Sequence, residues 1–192
     1  MAFLGTLAAF AAVEHGIGEI LQGFGPPDAV QSWPDSPAFA SLSGESAMTV
    51  VPSLGVSGML TVLSAAALAV YAVGYAHRPH GGLVLSGISV LLLQVGGGFG
   101  PPLIGILLGL AAMRAAAPGR PPGRLRQRLS RSWRPLLGST VLAYLGLFPG
   151  TVVLYWLTGV NSAALVMVLV AFAFGGFALT MIAMLARDRL NA

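Results

Sequence analysis

The chain has no cysteine and no lysine, and only 8% of its 192 residues are charged. Each shortage excludes something. Without cysteine there can be no disulfide framework, no thiol nucleophile and no thiolate metal site. Soluble domains carry charge on about a quarter of their residues, so a soluble globular fold is excluded too. Histidine is nearly absent: His15, His77 and His80 are all there is. The opening residues hold no basic side chain, and a cleavable leader, which needs one before its apolar core, is not expected.

What remains is apolar. Hydrophobic residues make up 56% of the chain, and mean hydropathy is +0.83. They fall in runs of roughly 15–25, the length that crosses about 30 Å of hydrocarbon. The expected fold is all-α, an integral membrane helical bundle forming one transmembrane domain over residues 1–192. Six segments are expected, near 3–23, 51–76, 83–95, 101–115, 135–157 and 163–186. Pro149-Gly150 predicts a kink in the fifth.

Two polar stretches set the sidedness. Residues 24–49 carry Asp28, Asp35 and Glu45, no arginine, and prolines at 26, 27, 34 and 37. They read as a loop, with a short helix near Ala38–Leu42 and with Trp33 and Phe39 suited to the water–lipid interface. Residues 114–134 carry Arg114, Arg120, Arg124, Arg126, Arg128, Arg131 and Arg134, with Pro118, Pro121 and Pro122. Basic loops stay in the cytoplasm. Counting spans outward from a cytoplasmic Arg-rich loop places all ten arginines inside, together with both termini and the His77–Gly82 turn, and puts 24–49 outside. Treating 83–115 as one span would export seven arginines, so that version is rejected. The expected partners are the lipid bilayer and, at the Arg-rich loop, anionic head groups. Trp133 alone gives no aromatic interleaving, so nucleic acid is not an expected partner.

Between the third and fourth segments stands Gly96-Gly97-Gly98-Phe99-Gly100-Pro101-Pro102. Glycine and proline at this density cannot hold a helix. The flanking helices, about 13–15 residues each, are short for a crossing. Two readings stay open: a tight outer turn between short spans, or a re-entrant tip. A tip is permitted only where protein or water covers its backbone. Gly105 and Gly109 form a GxxxG face for packing, within the chain, onto a partner subunit or in a homo-oligomer.

The chemistry concentrates in the first span. Its strongly apolar residues supply roughly 3–4 kcal/mol of insertion energy. One ionised carboxylate near the centre costs about as much, and this span has Glu14 and Glu19 as well as His15. His15, Glu19 and Gln22 share one helical face, whereas Glu14 points roughly 100° away. His15 and Glu19 are candidates to pair as imidazolium and carboxylate. Glu14, with no Arg or Lys in the spans, is expected to be protonated or to hold a cation. Intramembrane ionisable groups are functional by default; the competing reading is a buried polar cluster that fixes helix packing.

In the second span Ser53, Ser57, Thr61 and Ser64 form a hydroxyl stripe, which either lines a pathway or packs. Gly55-Val56-Ser57-Gly58 matches the short pattern around the serine of intramembrane serine proteases, but no histidine follows His80 to serve as base. His15 and Glu19 offer two metal ligands at i, i+4, and no second histidine in the spans completes a set. No metal, cofactor or catalytic residue is therefore expected. His77 and His80 read as solvated interfacial residues.

Taken together, Glu14-His15-Gly16-Ile17-Gly18-Glu19 with Leu21-Gln22-Gly23, Ser32-Trp33-Pro34 and Gly96–Pro102 resembles a family of small bacterial polytopic membrane proteins. The resemblance covers about the first 115 residues. It implies a multi-pass protein of the bacterial inner membrane and carries no activity over.

The expected function is transport or permeation of a proton, a small cation or a proton-coupled small solute. Glu14, His15, Glu19 and Gln22 are the binding candidates. Ser57, Thr61, Ser64, Gly96, Gly97, Gly98, Gly100 and Pro101 are the pathway or packing candidates. The alternatives are a non-catalytic membrane subunit or scaffold and, third, an intramembrane enzyme acting on lipid or peptide.

Overall fold

Backbone groups in hydrocarbon must bond within their own segment, which makes helix the natural form for these apolar runs. A computed structural model describes residues 2–25, 30–42, 44–115 and 123–191, with 115, 126, 188, 189 and 191 described by backbone alone. Pro26, Pro27, Asp28, Pro118, Arg120, Pro121 and Pro122 lie outside the described residues. Among the described residues the structure is helical, with only isolated β-bridges besides. Four helical stretches are long and apolar enough to cross a membrane: Ala2–Leu21, Leu54–Gly74, Trp133–Thr158 and Ala163–Arg187. The chain is thus membrane-embedded by length and composition.

It divides into two compact units, Met1–Ser36 with Leu42–Ala116, and Pro37–Ser41 with Ala117–Ala192.

The first unit holds α1 (Ala2–Leu21), α2 (Leu54–Gly74), α3 (Gly81–Val95) and α4 (Gly100–Ala115). Helices α1 and α2 approach closely through small residues. A Cβ on Gly16 would collide with the Gly58 carbonyl, one on Gly58 with the Gly16 carbonyl, and one on Gly5 with Ala72. In lipid, close backbone approach replaces the hydrophobic effect as the force between helices. The α3–α4 hairpin is joined the same way. Gly105 packs on Ser89, and Gly109 on Ser86 and the Gly82 carbonyl. The GxxxG face is therefore occupied inside the chain.

The α3–α4 turn sits below the start of α2. The Val95 carbonyl, at the end of α3, accepts hydrogen bonds from the Ser57 and Thr61 hydroxyls. Those residues lie about one and two turns into α2, or roughly 5–10 Å. The segment that leads into α2 meets the same turn. Thr49 bridges Val95, and the Val50 N–H donates to the Gln94 carbonyl at 2.9 Å.

The second unit holds α5 (Arg124–Arg131), α6 (Trp133–Leu145), α7 (Thr151–Thr158) and α8 (Ala163–Asn191). Pro149 lacks the N–H a regular helix needs, and the expected kink takes the form of a π-helical turn at Gly146–Gly150 that joins α6 to α7. Helices α6 and α8 meet at Thr140 and Thr180, whose hydroxyls are 3.2 Å apart, with Gly176 against Thr140. Arg187 stacks over the Trp133 ring at 4.8 Å.

Two expectations need correction. Part of the Arg-rich loop is the helix α5, because Arg, Leu and Gln between Gly123 and Ser132 are good helix formers. The short helix expected near Ala38–Leu42 is a single 3₁₀ turn, Pro37–Phe39.

Candidate functional site

Helix α1 carries its ionisable residues into the interior of the first unit. Glu14 and His15 are each 7% exposed and Glu19 is fully buried. Burial alone would satisfy a packing role. What distinguishes Glu19 is that neither carboxylate oxygen meets hydrogen-bond geometry among the described residues: the Ser57 hydroxyl lies beside it but is directed to the Val95 carbonyl and Thr49. Buried polar atoms are nearly always bonded, and an exception calls for an explanation.

The lid over Glu19 is the glycine turn. Gly96 ends α3 with φ 117°, a conformation L side chains rarely adopt. Both Glu19 oxygens, and the Ser57 hydroxyl at 2.5 Å, crowd the point where a Cβ on residue 96 would stand. Gly98, at φ 64°, does the same for His15: a Cβ there would be 2.6, 2.8 and 2.9 Å from three atoms of the imidazole. Two glycines of one turn thus seat the two ionisable side chains that share a face of α1. Gly97 closes the turn, its N–H donating to the Leu92 carbonyl at 2.9 Å.

The loop between α1 and α2 supplies the remaining wall. Gly18 lies against the Ser32 carbonyl and the Trp33 ring. Trp33 is buried, its ring 5.2 Å from that of His15 at a 41° tilt. Trp33 is therefore not an interfacial anchor, because the small residue at 18 admits it against α1. Its Nε1–H donates to Glu45 Oε2 at 3.1 Å, while Glu45 Oε1 stands 3.6 Å from His15 Nε2. Among the described residues the carboxylate within ion-pair range of His15 is Glu45 and not Glu19. The second ring nitrogen, Nδ1, has no hydrogen-bond partner.

Comparison with protein-family models, with curated proteins and with solved structures finds no match. The chemistry of the site rests on its geometry.

The other candidates sort as follows. Gln22 is half-buried, and its amide donates to the Gly18 and Gln31 carbonyls, tying the end of α1 to the loop. Ser57 and Thr61 are buried and cap Val95, and Ser57 also bonds Thr49. The Ser57 hydroxyl is engaged by a carbonyl and a second hydroxyl, neither of which is a base. Ser64 is half-buried one turn further along α2, away from that cap. Gly100 and buried Pro101 open α4, where a missing proline N–H is tolerated. His77 and His80 are exposed. Among the described residues no group of three or more His, Asp or Glu side chains is placed to hold a metal ion.

Sequence reasoning named one half of the site and missed the other. Glu45 and Trp33 lie far from α1 along the chain, and no spacing rule connects them to it. The one local hint is Gly18, a small residue on a helical face otherwise set with Glu and His.

Proposed function

We propose that the protein is a carrier or channel for protons, small cations or a proton-coupled small solute, and that Glu19 is the group that takes the proton or cation. One observation carries this reading: a fully buried carboxylate with both oxygens unpartnered, in a membrane helix. A carboxylate kept for packing would have its oxygens bonded, since leaving them bare forfeits the benefit of a polar group. A bare one is available to an exchangeable ligand. The Ser57 hydroxyl and the glycine turn stand beside the carboxylate.

The arrangement in the membrane belongs to the same proposal. Six segments lie with both termini in the cytoplasm of a bacterial inner membrane, the 24–49 loop lies outside, and the Arg-bearing faces of α5 meet anionic head groups. Helices α3 and α4 act as a re-entrant pair beneath that loop. Their lengths, about 22 and 24 Å at 1.5 Å per residue, support this, as does the depth at which Val95 meets Ser57 and Thr61.

The test is proton and monovalent-cation flux into proteoliposomes holding wild type or Glu19→Gln, at mildly acidic and at neutral pH. Wild-type flux that vanishes in a folded Glu19→Gln supports the reading. Equal flux in both, or none in a folded wild type, removes it.

A further inference from the structure

His15 presents one ring nitrogen to Glu45 and leaves the other buried and unpartnered. Glu45 differs from the other two residues in its access to water: its side chain is 39% exposed, against 9% for that of His15, and Glu19 is fully buried. Exposure therefore falls stepwise along Glu45, His15 and Glu19. We infer that Glu45 is the outer proton port of this site and that His15 relays protons between Glu45 and Glu19.

The step balances without any further reactant. A proton from bulk water occupies Glu45 Oε1. Glu45 gives it to His15 Nε2 as the Nδ1 proton leaves toward a Glu19 oxygen. One N–H bond forms and one breaks on the ring, while one O–H bond breaks at Glu45 and one forms at Glu19; the ring is neutral before and after, with its tautomer exchanged. Passage in the other direction restores it, and a second inward proton first needs the ring to turn over so that its protonated nitrogen faces Glu19. Imidazole suits the task because its two nitrogens are distinct donors and acceptors in one rigid ring. The first gap, 3.6 Å, is slightly longer than a hydrogen bond and is closed by a small side-chain movement. The second lies between residues at i and i+4 of α1, whose Cβ atoms stand roughly 5–6 Å apart. A single water would bridge it, with Nδ1, the Glu19 oxygens and the Ser57 hydroxyl as its polar partners.

Other charged groups facing the pair are few. On α1 there is Glu14. The loop brings Glu45, with Trp33 as its donor. Helix α3 has no charged side chain, and α2 has only Tyr71 and α4 only Arg114 as titratable groups, both at the ends remote from the glycine turn. Among the described residues, Glu45 is the exposed carboxylate beside His15.

The inference rests on Glu19 taking up protons, and its test needs no flux. The full chain is placed in lipid nanodiscs and given a pH jump. The infrared carboxyl band lost in Glu19→Gln is followed in time. Glu45→Gln preserves the acceptor for Trp33 and removes the titrating group, whereas Asp35→Asn makes the same charge change at an exposed site in the same loop. The Glu19 band should respond about tenfold more slowly, or slower still, in Glu45→Gln and in His15→Asn, and at the wild-type rate in Asp35→Asn. An unchanged rate in Glu45→Gln, or a wild-type band indifferent to pH, overturns the relay. A slowed band in a protein that passes no ions would leave the relay standing and remove the transport reading.

Discussion

Glu19 and Gly96 compete for one space: the carboxylate lies where any other residue at 96 would place its Cβ. The turn between α3 and α4 is thereby matched to a single side chain on α1. Gly96→Ala adds both a collision and a strained backbone at φ 117°, and should destabilise by about 2–4 kcal/mol. Glu19→Ala in the same chain should return the part due to the carboxylate and leave the backbone strain and the Ser57 contact. Thermal unfolding of the two single variants and the double gives the coupling. Strict additivity would show that the two residues do not touch.

Glu19→Gln should fold at least as well as wild type. An amide has the carboxylate's shape without the charge, and an unpartnered buried charge is the costlier group to bury. Melting in lipid nanodiscs checks this. A fall of more than about 5 °C would mean that the carboxylate is bonded after all and holds the helices together.

Ser57→Ala and Thr61→Val each remove one of two donors to the Val95 carbonyl. Either alone should cost about 0.5–1.5 kcal/mol. The double variant should cost more than the sum, because the carbonyl then loses both donors. Denaturant titration in mild detergent reads all three.

Gly105→Leu and Gly109→Leu should prevent the α3–α4 hairpin from closing, since Ser89 and Ser86 occupy the space a side chain needs. Gly138→Leu, with nothing within 4 Å, should be tolerated. Gel filtration separates the outcomes. A folded Gly105→Leu protein that changes only its oligomeric state would revive the reading of this face as a subunit contact.

The lack of cysteine makes topology directly measurable, because any thiol label reports an introduced site. Ser36→Cys and Ser162→Cys should react with a membrane-impermeant maleimide from outside whole cells. His77→Cys and Ser132→Cys should react only after permeabilisation. Reversal of either pair would overturn the arginine-based orientation.

How much of this was legible in the sequence follows from the range of each signal. Glu14, His15 and Glu19 stand out because charge is rare in an apolar run, and Gly96–Pro102 because glycine and proline break helices at any depth. Both are local signals. That Gly96 receives Glu19 and Gly98 receives His15 is a meeting of two segments some eighty residues apart in the sequence. Periodicity says which face of α1 is polar, not what covers it. The loop was harder still. Its prolines and acids mark it as polar and irregular, yet Trp33 turns inward, held to Glu45 by a hydrogen bond that no period records. In α5 the arginine content masked good helix formers.

The proposed re-entrant placement of the glycine turn has an electrical consequence. A membrane voltage falls across the part of the path that excludes water and polar groups. In the proposed arrangement, with α3 and α4 re-entrant beneath the loop, that part would start below the loop, and most of the voltage would drop between Glu19 and the far ends of α3 and α4. A proton moving from Glu45 to Glu19 would cross little of the field, and one moving onward would cross nearly all of it, worth up to about 2.3 kcal/mol per 100 mV. Loading of the site would then be governed by external acidity, and its discharge by the membrane potential.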